Sequence, residues 1–199
     1  MKVIGITGGV GSGKSEVLRN IQKMCSCIII TADELAKSLE KKGEVCYEPL
    51  IALLGEDILD GNGEIDAGKM AARIFSENAK DLLSSVNAIV HPAVKRRILD
   101  MIADEKDKGE IDWFFIEAAL LIEDHYDTIV DEMWYIYADE DVRRERLAAS
   151  RGYSHEKIDS LMRAQSSDAV FRQKCKVVID NSGSVAGTIK QLEKVLTER

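Results

Sequence analysis

A chain of 199 residues suits one globular domain with room for an insert. Apolar residues make up 45%, charged residues 31%, and the net charge is −8, which argues against a standing nucleic-acid or anionic-membrane surface. No stretch approaches about 18 consecutive apolar residues, and the first apolar run is too short for a signal peptide. The expectation is therefore a cytoplasmic enzyme with neither membrane nor nucleic-acid partners.

Lys2 to Thr7 reads as a short buried strand, since Val3, Ile4 and Ile6 are β-formers and the run stops at glycine. Gly8 to Ser15 then fits G-x-x-x-x-G-K-[ST], the P-loop pattern, and Val17, Leu18, Ile21 and Met24 follow at helical spacing. In this strand–loop–helix context the residue types have a chemical reason. Glycines let backbone N–H groups turn inward, and the helix N-terminus adds unpaired donors and partial positive charge. Lys14 supplies a point charge for β- and γ-phosphates, and the Ser15 hydroxyl is placed to ligate Mg²⁺. Contacts to ATP are expected from Gly9, Val10, Gly11, Ser12, Gly13, Lys14, Ser15 and Glu16. The loop names a nucleoside triphosphate and not the reaction.

Cys27 to Ile30 predicts a second strand, and Thr31 with Glu34 has capping-box spacing, so a helix should start at Ala32. Asp33 then falls in the first helical turn at a strand tip, the edge where open parallel sheets bind ligands. It is either an acid favoured by the helix dipole or an acceptor for a substrate hydroxyl. The region from Leu39 to Asp107 is mostly helical, with loops at Gly55, Gly61 and Gly63, and is too long for a simple crossover. It reads as a helical insert. His91-Pro92 is expected to open its last helix, whose apolar face carries Val94, Ile98, Met101 and Ile102.

Trp113 to Ile116 predicts a third strand, with Glu117 at its tip either acting on Mg²⁺ through water or capping the next helix. Met133 to Tyr137 predicts a fourth, followed by Asp139 as N-cap of a helix that carries Arg143, Arg144, Arg146 and Arg151 and ends at Gly152. Ser154 can cap a second helix carrying Arg163 and Gln165. Two arginine-rich helices here read as a lid over a triphosphate, against the alternative of a solvated charged face. Val177 to Ile179 predicts the fifth strand, and Val185, Ile189, Leu192, Val195 and Leu196 an amphipathic last helix. Asn181, between them, either touches adenine or simply forms the turn. Cys25, Cys27, Cys46 and Cys175 lack zinc spacing and are expected as structural thiols.

With these residues placed, the chain resembles the dephospho-coenzyme A kinases over essentially its whole length. The resemblance rests on Gly5 to Ser15, Ala32-Asp33 with Ala36, Gly63 to Asp66 leading to Phe75, His91-Pro92, Leu120 to Glu123, Arg146-Leu147, Ala164-Gln165 and Val178 to Gly183. It implies a nucleoside-monophosphate-kinase-like α/β fold: a five-stranded parallel P-loop core (1–38, 112–138, 176–199), a helical coenzyme A-binding insert (39–111) and an arginine-rich lid (139–175). It implies transfer of the ATP γ-phosphate to the ribose 3′-hydroxyl of dephospho-CoA with Mg²⁺, in a monomer or weak homo-oligomer. Asp33, Lys14, Arg146 and Arg151 carry over as catalytic, Asn181 to the nucleotide, and Asp33, His91, Lys95, Leu120 and Gln165 to the substrate. The chain departs from the family pattern at Glu16, Thr31, Ala67, Lys95, Glu117, Ala119, Leu161 and Ile122. Two other readings stand beside it: another small-molecule kinase, and a regulatory NTPase, which the lack of Asn-Lys-x-Asp and Leu-Ser-Gly-Gly-Gln motifs weakens.

Overall fold

The computed structural model describes residues 1–76, 81–118 and 120–197, so the departure at Ala119 lies outside the described residues. The chain divides into two compact units, Met1–Ile30 with Lys108–Arg199, and Thr31–Asp107. Among the described residues no helix is long and apolar enough to cross a membrane.

The first unit is built on a five-stranded sheet. Its strands β1 (Lys2–Thr7), β2 (Cys27–Thr31), β3 (Trp113–Glu117), β4 (Glu132–Tyr137) and β5 (Val177–Asp180) lie in the order β2-β3-β1-β4-β5. β1 pairs in parallel with β3 and β4, and β4 with β5. Strands covered on both faces read as continuous apolar runs, which is why KVIGIT and WFFIE carry no polar alternation. The helix α1 (Lys14–Met24) and the last helix, α9 (Val185–Thr197), share one core with the sheet: Val17, Leu18, Ile21, Leu192 and Leu196 join Ile4, Ile6, Trp113, Phe115 and Trp134. The Phe115 and Trp134 rings meet edge to face, with centroids 5.7 Å apart and planes at 66°. Val185, counted from its spacing as apolar face, is 49% exposed, and Thr188 is the buried residue in the first turns of α9.

The same unit carries α6 (Glu140–Arg151), α7 (His155–Arg163) and α8 (Asp168–Lys174), the last of which the sequence did not signal. Gly152 closes α6 in the left-handed region at φ 62°, and the Ser154 hydroxyl accepts from Lys157 N–H to cap α7, as expected. Gln165 is not on α7 but just beyond it, because the chain tightens at Ala164 and the Gln165 N–H turns to the Met162 carbonyl. No α-helix follows Glu117 among the described residues: turns lead to a 3-10 turn at Tyr126–Thr128, so Glu117 caps nothing there.

The second unit contains α2 (Ala32–Leu39), α3 (Tyr47–Leu54), a 3-10 turn at Glu56–Ile58, α4 (Ala67–Ile74) and most of α5 (Leu82–Lys108). The Thr31 side chain makes no cap bond, so the expected capping box is absent although α2 does start at Ala32. The expected helix opening at His91-Pro92 is also corrected. α5 begins at Leu82 and runs through Pro92 without a break. Its buried residues Val86, Val90, Val94, Ile98 and Ile102 are spaced by four and form one stripe on both sides of the proline, while Met101 is only half-buried. Burial of that stripe outweighs the donor that Pro92 withholds from the carbonyl one turn back. All four cysteines are free thiols, and burial pushes the Cys27 thiol up to about 12 and that of Cys175 to about 11.

Because Pro92 is exposed and interior to α5, Pro92→Ala is expected to restore a helix bond and stabilise the protein. The gain should be about 2 kcal/mol after the added freedom of the unfolded chain is discounted. Urea unfolding checks this; an unchanged or lower midpoint would contradict a helix continuous through residue 92.

Candidate active site

β1 ends at Thr7 and α1 begins at Lys14, and the six residues between them are the P-loop. Gly13 is the N-cap of α1 at φ 86°, a left-handed conformation that favours glycine, and a Cβ there would also collide with the Asn181 amide nitrogen. For the loop amides to turn inward, alternate carbonyls must turn outward and find donors of their own. Side chains supply them. The Gly8 carbonyl accepts from Lys14 Nζ at 2.8 Å, and the Val10 carbonyl from Arg143 Nε at 2.9 Å. The Ser12 carbonyl accepts twice, from Asn181 Nδ2 at 2.9 Å and Arg146 Nη1 at 3.3 Å.

Asn181 is 4% exposed and fixed at both ends of its amide: Oδ1 accepts from Thr188 Oγ1 at 2.8 Å while Nδ2 holds Ser12. Its own carbonyl accepts from Arg146 Nη2 at 2.8 Å. So of the two readings of Asn181, the structure gives it a third role as a brace beneath the loop. The Ser12 hydroxyl is buried with no partner among the described residues.

Lys14 reaches further. Its Nζ stands 3.9 Å from Glu117 Oε1, with both side chains 17% exposed. Sheet register explains the pairing, because Glu117 lies opposite Ile6 one strand over, just before the loop begins. Ser15 is exposed and Glu16 half-buried, both in the first turn of α1. Among the described residues no cluster of His, Cys, Asp or Glu stands ready to hold a metal ion by itself. The Ser15 hydroxyl and the Glu117 carboxylate are hard oxygen donors beside the loop, of the kind Mg²⁺ takes together with phosphate oxygens and water.

The arginines of α6 divide by position. Arg143 and Arg146 touch the loop, as above. Arg144 instead bridges Glu140 and Asp159, tying α6 to α7, and its guanidinium holds the Asp159 carboxyl below the usual range. Arg151 is exposed at the far end of α6, its guanidinium 5.9 Å from the centre of the Tyr153 ring. Gln165 Oε1 accepts from the Val10 N–H at 2.8 Å, and Leu120 is 47% exposed in the turn after β3. Asp33, His91 and Lys95 belong to the second unit. Asp33 is exposed in the first turn of α2, directly after β2, and His91 and Lys95 stand one turn apart on α5, each half-buried.

Two contributors escaped sequence reasoning. Arg143 was one of four arginines on a helix, with nothing in its spacing to single it out. Thr188 lies outside the apolar positions that mark the last helix. Arg143 acts on a partner 133 residues away, and Thr188 on one 7 residues away in the turn that precedes its helix.

Residues 2–187 match the family model described as CoaE: Dephospho-CoA kinase. The chain is 35% identical over 196 residues to the dephospho-CoA kinase of Carboxydothermus hydrogenoformans, covering 98% of this chain and 93% of that protein. It is 34% identical over 199 residues to the one of Corynebacterium diphtheriae, covering 100% and 97%. Among solved structures, a Thermus thermophilus protein superposes with a TM-score of 0.79 at 29% identity, over 99% of this chain and 97% of that one. The dephospho-CoA kinase of Campylobacter jejuni gives 0.72 at 20% identity over 98% and 96%, and a Bacteroides thetaiotaomicron shikimate kinase 0.56 at 13% over 98% of each, likenesses of fold.

Asn181→Ala is expected to cost about 1–3 kcal/mol of stability, because it strips one donor from the Ser12 carbonyl and a close partner from buried Thr188. Denaturant unfolding measures it; a change below about 0.5 kcal/mol would show that Asn181 is not a brace.

Proposed function

This chain belongs to the dephospho-CoA kinase family, and on that premise we propose how its own residues carry phosphate from ATP to the ribose 3′-hydroxyl of dephospho-CoA, giving CoA and ADP. The observation that supports the nucleotide half of this reading is the set of carbonyls at Gly8, Val10 and Ser12, each held by a side-chain donor, while the acceptor rests on the family match. With those carbonyls held, loop amides other than those of Val10 and Ser12, which donate to Gln165 Oε1 and the Gly9 carbonyl, are placed to meet the β- and γ-phosphates of ATP.

Lys14 neutralises charge on the transferring group. Its distance of 3.9 Å from Glu117 is long enough for it to swing toward a phosphate, which is the more highly charged partner. Ser15 would hold Mg²⁺, with Glu117 reaching it through water, and the cation would supply further charge neutralisation between the phosphates. Glu16, in the same first turn, borders the nucleotide, as does Asn181 at the tip of β5. Arg146 and Arg151 are the arginines we assign to the spreading negative charge of the transfer, because a planar guanidinium suits phosphate oxygens.

Asp33 accepts from the 3′-hydroxyl and aims it at phosphorus. Its exposed place after the C-terminal end of a strand supports that role. Since phosphoryl transfer has a loose transition state, orientation matters here more than base strength. The helical segment 39–111 takes the coenzyme A portion, with His91 and Lys95 of α5 contributing, while Leu120 and the free amide end of Gln165 border the acceptor. Lys95 binds as a point charge without the bidentate fork of an arginine. The segment 139–175 acts as the lid. We place the enzyme in the cytoplasm as a monomer or weak homo-oligomer, with no nucleic-acid or membrane partner.

Two experiments test the assignment. With ATP, Mg²⁺ and dephospho-CoA, mass spectrometry should find CoA, and ATP consumption should rise by several orders of magnitude over that without the acceptor. Consumption indifferent to the acceptor would contradict the reading. Asp33→Asn should lower kcat by about 100-fold or more while ATP affinity stays near that of the unaltered enzyme. Unchanged turnover would remove Asp33 from the chemistry.

A further inference from the structure

Val10, at the crown of the P-loop, has both backbone polar groups engaged by residues far along the chain. Its N–H donates to Gln165 Oε1 at 2.8 Å, and its carbonyl accepts from Arg143 Nε at 2.9 Å. The same Gln165 oxygen accepts from Arg143 Nη2 at 3.2 Å, so the three residues close a ring of hydrogen bonds. All three are half-buried. The guanidinium also lies directly over Gly9, where a Cβ would stand within 2.5 Å of Arg143 Cζ, so the loop and this side chain pack with no space between them.

This ring fixes the two peptide planes on either side of Val10. Rotation of either plane would break one of the three bonds and open the ring. An N–H already given to Gln165 is also not offered to a ligand, so Val10 contributes shape and not a phosphate bond. We propose that Arg143 and Gln165 are positioning residues. They clamp Val10 and thereby preset the P-loop amides for nucleotide, without touching the transferring phosphorus. Because Arg143 is on α6 and Gln165 follows α7, the clamp links nucleotide affinity to the seating of the segment after α7 on the loop. The inference rests on the reading that the P-loop binds ATP.

The test is ATP affinity by titration calorimetry, with KM for both substrates and the thermal midpoint as companions. Arg143→Ala and Gln165→Ala should each weaken ATP binding about tenfold, and Arg143→Ala should leave KM for dephospho-CoA within about twofold. The double variant should also be about tenfold weaker, not a hundredfold, because either loss breaks the one ring. Gln165→Glu, whose carboxylate accepts from both donors, should bind ATP as the unaltered enzyme does, whereas Gln165→Leu should not. Should Arg143→Ala fail to fold, Arg143→Lys serves instead, since it keeps the charge and loses the fork. Multiplying losses, unchanged ATP affinity in the single variants, or Gln165→Glu as weak as Gln165→Leu would each overturn the clamp. Unaltered enzyme that fails to bind ATP would overturn the underlying reading instead, and the clamp with it.

Discussion

The carbonyl oxygens of Gly8, Val10 and Ser12 are the groups on which the active site depends. A loop that turns successive N–H groups toward an anion must turn carbonyls away from it, and a carbonyl left without a donor there carries a desolvation penalty of about 1–3 kcal/mol. Here one lysine, two arginines and one asparagine answer three carbonyls. The donors come from α1, from α6 and from the turn after β5. The loop's conformation is therefore not a property of its glycines alone. Glycines permit the shape, and side chains from elsewhere in the unit select it.

Sheet order makes this possible. With β1 in the middle of β2-β3-β1-β4-β5, the loop leaves the sheet between the ends of β3 and β4. Glu117 arrives from one side in register with Ile6. From the other side, β4 leads into α6 with its arginines, and β5, paired with β4, ends where Asn181 begins. The N–H of Asn181 donates to the Tyr137 carbonyl at 2.8 Å, which continues the β4–β5 ladder one residue further and fixes the height of its side chain. The aromatic core of Trp113, Phe115 and Trp134 keeps those strands in place behind the site, so positional accuracy at the loop is inherited from packing in the sheet.

Much of this was legible in the sequence, and the exceptions have physical reasons. The strands, α1, the start of α2 and the ends of α6 follow from local signals: β-branched runs, the P-loop pattern, a glycine stop. The fold class came with the family resemblance those elements carry. Pro92 misled because a proline marks a helix start only when nothing stronger continues the helix across it, and five buried aliphatics at spacing four do. The role of Gln165 was not legible because its partner Val10 is 155 positions away, and no spacing rule reports such a contact. Asn181 was singled out for its place at a strand tip, which was sound, but its partners Ser12 and Thr188 decide what it does. In the same way the spacing of four arginines on α6 did not tell their contacts apart: Arg143 and Arg146 hold the loop, and Arg144 ties two helices together.

Phosphate capture by the loop and Lys14 is the central claim, and calorimetric titration of ATP into the Lys14→Ala protein measures it without recourse to turnover. Loss of the Lys14 charge at the loop should weaken ATP binding by about tenfold to a hundredfold while the protein keeps its fold. Affinity equal to that of the unaltered protein would contradict the claim.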